Sequence, residues 1–273
     1  MISSLAGKLA NSGFPKLAEL VLKMGITMLG NDTKIRFHSR NYWTHYKGNW
    51  IIHEVLPDIR FDPDKQMTFI KEVHFKRYLP SGEDVFIDVG AGIGMESMFL
   101  SRQADYKGRI YAIEASPFTF ELLKANIQSN HLNNIQPFNM AVSDQPGKTF
   151  IDDSQVNHIA NSIFTAKGTA VRAITMDGFM EENQIESVGL LKVNIEGAES
   201  LLISSFEKIS SVKHVAISCH DFLYNRSGDK NFKTKKSVIR FLENSNFDVV
   251  GNNTGVDYVD DWIYGSNRMF NRD

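Results

Sequence analysis

The most specific chemistry in this chain sits in one short run. Val85-Phe86-Ile87-Asp88-Val89-Gly90-Ala91-Gly92-Ile93-Gly94 is apolar up to an acid, turns glycine-rich, and leads into a helical pattern from Met95. Glycines at 90 and 92 let backbone approach a ligand, with Ala91 between them, and the helix start behind presents N–H groups lacking intrahelical partners. Glu114 closes the next apolar run, where its carboxylate can accept ribose hydroxyls. Two ligand classes fit such a turn: a dinucleotide, or a nucleoside joined to an amino acid. Asp88 divides them, because a carboxylate just before the first glycine repels a pyrophosphate but attracts an ammonium. The third glycine, Gly94, also comes one residue too early for dinucleotide spacing. The pattern therefore favours S-adenosylmethionine, with a nicotinamide-dependent oxidoreductase as the alternative.

Methyl transfer from such a donor is an in-line displacement, so the protein supplies alignment, and a base where the acceptor is a hydroxyl. The apolar run 189–195 ends in Asn194-Ile195-Glu196-Gly197. Residues two apart share a strand face, so Asn194 and Glu196 point into one cleft if the strand persists. Glu196 is then the base; the competing reading has it shaping the turn at Gly197. Asn194 carries no charge, but its amide oxygen can orient an acceptor or the donor's ammonium. His220 and Asp221 follow the next strand at the same sheet edge and are candidates to assist, while 224–231 reads as a polar loop over the site.

Strands must position these groups. Apolar runs at 84–89, 109–113, 135–140, 189–195, 214–219, 247–250 and 261–265 alternate with helical patterns, the signature of a doubly wound, Rossmann-like α/β domain over 64–273. A β-branched stretch within about 148–176 reads as an inserted hairpin. Residues 1–63 read as a helical and aromatic-rich extension or cap. In it Leu17, Leu20, Val21, Met24 and Met28 recur at helical spacing, and the irregular stretch 35–62 holds Phe37, Trp43, Trp50 and Phe61. The apolar side of that helix rests either on the main domain or on a partner or membrane interface.

A net charge of -2 gives no global attraction to nucleic acid or anionic lipid and does not itself name a partner; methyl transfer calls for a small-molecule or glycan acceptor. One cysteine, Cys219, allows no internal disulfide and fits a reducing, cytoplasmic compartment. Lys8, Lys16, Glu19 and Lys23 interrupt the first thirty residues, so neither a signal peptide nor a spanning helix is expected.

The block 85–94, Ala141-Val142-Ser143-Asp144, Thr175-Met176-Asp177-Gly178-Phe179 and Leu190-Leu191-Lys192-Val193-Asn194-Ile195-Glu196-Gly197-Ala198-Glu199 occur in an order and spacing that resembles the FkbM family of methyltransferases. The resemblance covers roughly 84–220. It implies a seven-stranded sheet with a reversed last strand, S-adenosylmethionine as donor, and O-methylation, commonly of sugars or glycosylated products. Carried over by position, it gives Asp88, Gly90 and Gly92 to the methionine end and Glu114 to the ribose. Met140 and Ala141 then surround the adenine, flanked by Ala115, Ser116 and Phe118, the last equally readable as core. The family pattern has aspartate where this chain has Asn194. Some similar sugar O-methyltransferases hold a divalent ion between strands four and five; here the ligands would be Asn194, His220 and Asp221, a poor set for magnesium. No metal is therefore assigned.

Overall fold

The computed structural model describes residues 2–38, 42–151 and 168–270. Helices α1 (Ile2–Asn11) and α2 (Pro15–Met28) form a hairpin over a small antiparallel sheet of β1 (Lys34–His38), β2 (Tyr42–Lys47) and β3 (Trp50–Glu54). Ala6, Ala10, Ala18, Leu22 and Trp43 make their shared core, in which a fully buried leucine contributes about 1.5–3 kcal/mol. The stretch 35–62 is thus largely sheet rather than irregular cap. β1 alternates, with Lys34 and Arg36 exposed, but in β2 and β3 the period-two signal is masked because both faces are covered: Trp43 meets the helices, while Tyr42 and Trp50 pack against the core of the main sheet.

Helix α3 (Pro63–Val73) starts at Asp62, whose side chain accepts the Lys65 N–H, with proline in the first turn. The main sheet then begins with β4 (Phe86–Val89), followed by α4 (Met95–Ser101), β5 (Ile110–Glu114), α5 (Pro117–Ser129) and β6 (Ile135–Asn139). Strands β7 (Ala141–Val142), β8 (Gly147–Ile151) and β9 (Thr169–Ile174) form a separate three-stranded sheet in which β8 and β9 are antiparallel. The interior of the sequence's hairpin, 152–167, lies outside the described residues. After α6 (Met176–Glu182) come β10 (Val188–Val193), α7 (Glu199–Ser204), β11 (Val212–Ser218), α8 (Asp221–Ser227), α9 (Lys235–Asn244), β12 (Phe247–Gly251), α10 (Asp257–Asp260) and β13 (Trp262–Asn267).

The seven-stranded sheet has the order β12-β13-β11-β10-β4-β5-β6, with β13 antiparallel to both its neighbours. Every residue of β4 and β10 is buried, as expected of central parallel strands covered on both faces. Ile87, Val89 and Leu191 feed the core on one face; Phe86, Ile110 and Leu190 feed the other. β4 and β10 run parallel, but the succession of strands reverses between them, and the crevice at their C-terminal ends is where ligands bind in such sheets.

Two asparagines, one helical turn apart on α5, hold the small sheet to the large one. Asn126 exchanges hydrogen bonds with the backbone of His53 (2.6 and 3.1 Å), and Asn130 does the same with Ile51 (3.2 and 2.6 Å). They act as a surrogate strand for the free edge of β3. The end of β3 is thereby fixed beside the crevice.

Candidate functional site

The crevice encloses a cavity of about 590 Å³, the size of a small-molecule site. The turn after β4 forms its floor. Gly90 has φ +72, and a Cβ there would lie 1.9 Å from the Asn194 carbonyl oxygen, so only glycine allows the two strand ends to close up. Gly92 has φ +56 with nothing within 4 Å of the position a side chain would take, which leaves open space above the turn.

Glu114 and Asn194 flank this floor on either side of β4. The Gly92 N–H donates to Glu114 Oε2 at 2.9 Å and the Ser116 N–H donates to Oε1 at 2.8 Å. Burial nevertheless outweighs these bonds and raises the Glu114 carboxyl to about 7. Ala115, Ser116, Met140, Ala141 and Val142 line the same end, giving an apolar slot beside a fixed carboxylate. Ser116 also caps α5, accepting the Thr119 N–H at 3.2 Å. Phe118 is 37% exposed and is not among the residues lining the cavity.

Asp88 does not reach the cavity. Register pairs it with Lys192 on β10, and Lys192 Nζ lies 2.8 Å from Asp88 Oδ1 with both side chains buried. Ser97 Oγ donates to Asp88 Oδ2 at 2.7 Å, while Lys192 Nζ also donates to the Gly90 carbonyl at 2.9 Å. The Asp88 charge is thus spent beneath the glycine turn, pinning it through Lys192. Burial opposes the Lys192 charge, yet Asp88 and Glu96 overcome it and raise its pKa, so one ammonium serves two acids.

Glu96, in the first turn of α4, is the acid of this cluster that lines the cavity. Its Oε1 lies 3.7 Å from Lys192 Nζ and 2.9 Å from His74 Nδ1. Although burial pushes the other way, Lys192 and His74 hold its carboxyl far below the usual range, which makes Glu96 a fixed negative charge. Sequence reasoning missed Lys192, Glu96 and His74. A lone lysine inside Leu190-Leu191-Lys192-Val193 was the available signal, since a buried lysine demands an acidic partner.

On the far wall, Asn194 lines the cavity and Glu196 stands beside it with φ +52. A non-glycine residue in this region carries about 1–3 kcal/mol of strain and is commonest at functional sites. His220 lies behind Glu196 rather than in the cavity: its Nε2 is 3.4 Å from Glu196 Oε1 and its Nδ1 is 3.0 Å from Glu199 Oε1. Burial alone would lower the imidazole, but hydrogen bonds and charge from the two glutamates raise it to about 10. His220 is therefore an imidazolium positioning Glu196. Thr234 Oγ1 holds the other oxygen of Glu199 at 3.0 Å.

Asp221 turns away from the cavity altogether. Its Oδ1 accepts the N–H groups of Thr234 and Lys235, both at 2.9 Å, at the start of α9. The polar stretch 224–231 is not an open loop either, since it is shared between α8 and a short 3-10 turn at Lys230–Phe232. Asn194, His220 and Asp221 do not converge, and among the described residues no group of three or more His, Cys, Asp or Glu side chains is placed to hold a metal ion.

The third side of the cavity comes from the N-terminal part of the chain. Glu54 ends β3 and is held by His45 Nδ1 at 2.9 Å; Lys65, Gln66 and Phe69 project from α3. None of these four stood out in the sequence, because Glu54 reaches the cavity only through the docking of β3 on α5, and the other three only through the packing of α3 on α4.

The methyltransferase FkbM domain model matches residues 88–249. The hexuronic acid methyltransferase AglP of Haloferax volcanii is 24% identical over 140 residues, covering 50% of this chain and 56% of that protein. An uncharacterized protein of Methanocaldococcus jannaschii is 41% identical over 54 residues, 20% of either chain. The FkbM methyltransferase structure from Methylobacillus flagellatus KT shares the fold, with a TM-score of 0.50 at 15% identity, covering 76% of this chain and 51% of that one. The matches thus span little more than half the length of these relatives, or less. Because the domain model takes in the glycine turn, both flanking strand ends and more than half of the sequence, this chain belongs to the FkbM family of methyltransferases.

Proposed function

We propose that this chain is an S-adenosylmethionine-dependent O-methyltransferase acting on a hydroxyl of a sugar or glycan-like acceptor, with Glu196 as the base. The observation that carries this reading is the pairing of Glu114, already oriented by two backbone N–H groups, with Glu196 across β4 from it. The residues fit the donor: Glu114 meets ribose hydroxyls, Met140 and Ala141 border the base, and the open space over Gly92 admits the ligand backbone. Glu96, rather than Asp88, offers its fixed charge to the cationic end, with Asn194 beside it. Bound S-adenosylmethionine supplies an electrophilic methyl on a sulfonium.

Glu196 takes the hydroxyl proton of the acceptor. Two carboxylates around one imidazolium carry a net negative charge, so the Glu196–His220–Glu199 group accepts one proton without creating a buried excess of positive charge. The acceptor wall of Glu54, Lys65, Gln66 and the 39%-exposed ring of Phe69 combines hydrogen-bonding groups with an aromatic face, which suits a polyhydroxylated ring. Lys65 adds a cation for an acidic sugar, in keeping with the hexuronic acid named for AglP. The dinucleotide alternative does not fit a sheet whose reversed β13 lies between β11 and β12.

Transfer of labelled methyl to a panel of neutral sugars and hexuronic acids tests the reading, with S-adenosylhomocysteine calorimetry alongside. The expected result is tight cofactor binding and turnover on a sugar. No binding of S-adenosylhomocysteine overturns it. Binding without turnover on any acceptor supports a second reading, favoured by the uncharged Asn194, of a cofactor-binding protein that has lost catalysis.

A further inference from the structure

The α1–α2 hairpin is apolar on two sides. Toward the small sheet, α2 buries Ala18, Leu22, Gly25 and Ile26. Away from it, Leu17, Leu20, Met24 and Met28 are 46, 54, 54 and 78% exposed. At 3.6 residues per turn these four lie within roughly 80° of arc, a continuous stripe. Phe14, 59% exposed at the hairpin turn, and Leu5, 50% exposed on α1, extend the apolar surface. A stripe of this kind on a monomer marks a contact surface.

Charge says what kind. Lys8, Lys16 and Lys23 are all exposed, and helical spacing puts Lys16 and Lys23 on the same flank of the stripe. Glu19 is the sole acid of the two helices, and it turns inward to accept the Phe37 N–H at 2.8 Å. The outward face is therefore purely cationic on a chain whose net charge is -2. A second copy of this face would bring lysine flanks together with no acid to pair across the interface. No helix among the described residues is long and apolar enough to cross a membrane, so the stripe lies along a surface rather than through it.

We propose that this face of the hairpin docks on an anionic lipid bilayer. Leu17, Leu20, Met24 and Met28 enter the interface between headgroups and acyl chains, and Lys16 and Lys23 reach along it to phosphate headgroups. The proposal is independent of the catalytic reading, because none of these residues lines the cavity.

Co-sedimentation of the full chain with vesicles of phosphatidylcholine, alone or mixed with phosphatidylglycerol, tests it. Binding to the mixed vesicles is expected, weakening at high salt. Lys16→Gln/Lys23→Gln weakens it roughly 30-fold, and Leu20→Ser/Met24→Ser reduces it to the level of neutral vesicles or below. Both variants alter exposed side chains, so their melting and their S-adenosylhomocysteine binding stay at the wild-type level. Indifference to phosphatidylglycerol overturns the proposal, as does equal vesicle binding by wild type and Leu20→Ser/Met24→Ser. A dimer in sedimentation velocity that Met24→Glu dissociates, with vesicles ignored, overturns it in favour of a second copy.

Discussion

Under the glycine turn, Asp88 and Glu96 share the Lys192 ammonium; past the end of β10, Glu196 and Glu199 share the His220 imidazolium. The charge arithmetic is similar, but the backbone differs. Lys192 and Asp88 sit in register on regular strands, and their cluster holds the turn by way of the Gly90 carbonyl. Glu196 and His220 both occupy left-handed backbone, at φ +52 and +55. The strain aims a carboxylate at the cavity with a single cation behind it. Glu96, gripped from two sides, is a fixed charge; Glu196 touches His220 through one oxygen, and on the proposed reading it takes the acceptor's proton. Two acids on one cation are thus either locked beneath regular strands or turned toward the cavity by left-handed backbone.

The largest expected effect breaks the comparison at Glu196. Glu196→Gln should cut single-turnover methyl transfer by about 10² to 10⁴-fold while S-adenosylhomocysteine affinity holds. Glu96→Gln should instead weaken affinity; if the two variants exchange phenotypes, the roles assigned to the two clusters are reversed. Next comes Lys192→Met, which strands Asp88 and Glu96 and should cost about 3–5 kcal/mol in urea unfolding. Adding Asp88→Asn should recover part of that loss, a rescue that an unpaired Lys192 would not give.

The pH dependence separates the clusters from Glu114. His220 binds its proton more tightly in the fold than in the unfolded chain. Its stabilisation is complete below the ordinary histidine value of 6.5 and is lost as pH climbs toward about 10. Urea midpoints of wild type should fall through that window, and those of His220→Gln should not. Glu114 is also raised, to about 7, so its proton favours the fold at low pH and this contribution fades as pH rises from 4.5 to about 7. If Glu114 holds the ribose as a carboxylate, as proposed, cofactor affinity measured by calorimetry should drop about tenfold per unit below that value, and Glu114→Gln should flatten the profile. The smallest effect belongs to Asp221→Ala: loss of a cap worth about 1 kcal/mol with turnover unchanged. A large loss of turnover there would return Asp221 to the chemistry.

Much of the scaffold was legible because its signals are local. Each of the seven strand runs falls within two residues of its observed bounds, and the central parallel strands read most plainly because they are buried apolar runs between helical patterns. The Gly90-Ala91-Gly92 turn and Glu114 after the next strand were visible for the same reason. The small sheet was not, because β2 and β3 are covered on both faces and lose the alternation that only the five residues of β1 keep.

Residues near one another in the chain set the seven runs of the main sheet, the glycine turn and the position of Glu114 beside it. Only the tertiary structure decided where the charges go. Asp88 and Lys192 are 104 positions apart, and nothing but the register of β10 on β4 makes them partners and withdraws Asp88 from the cavity. The same long-range packing turns His220 into a cation between two glutamates, draws Asp221 off to cap α9, and brings Glu54 and α3 to the cavity wall. A side chain's type limits what it can do, but burial and the charges beside it select which of those roles it performs.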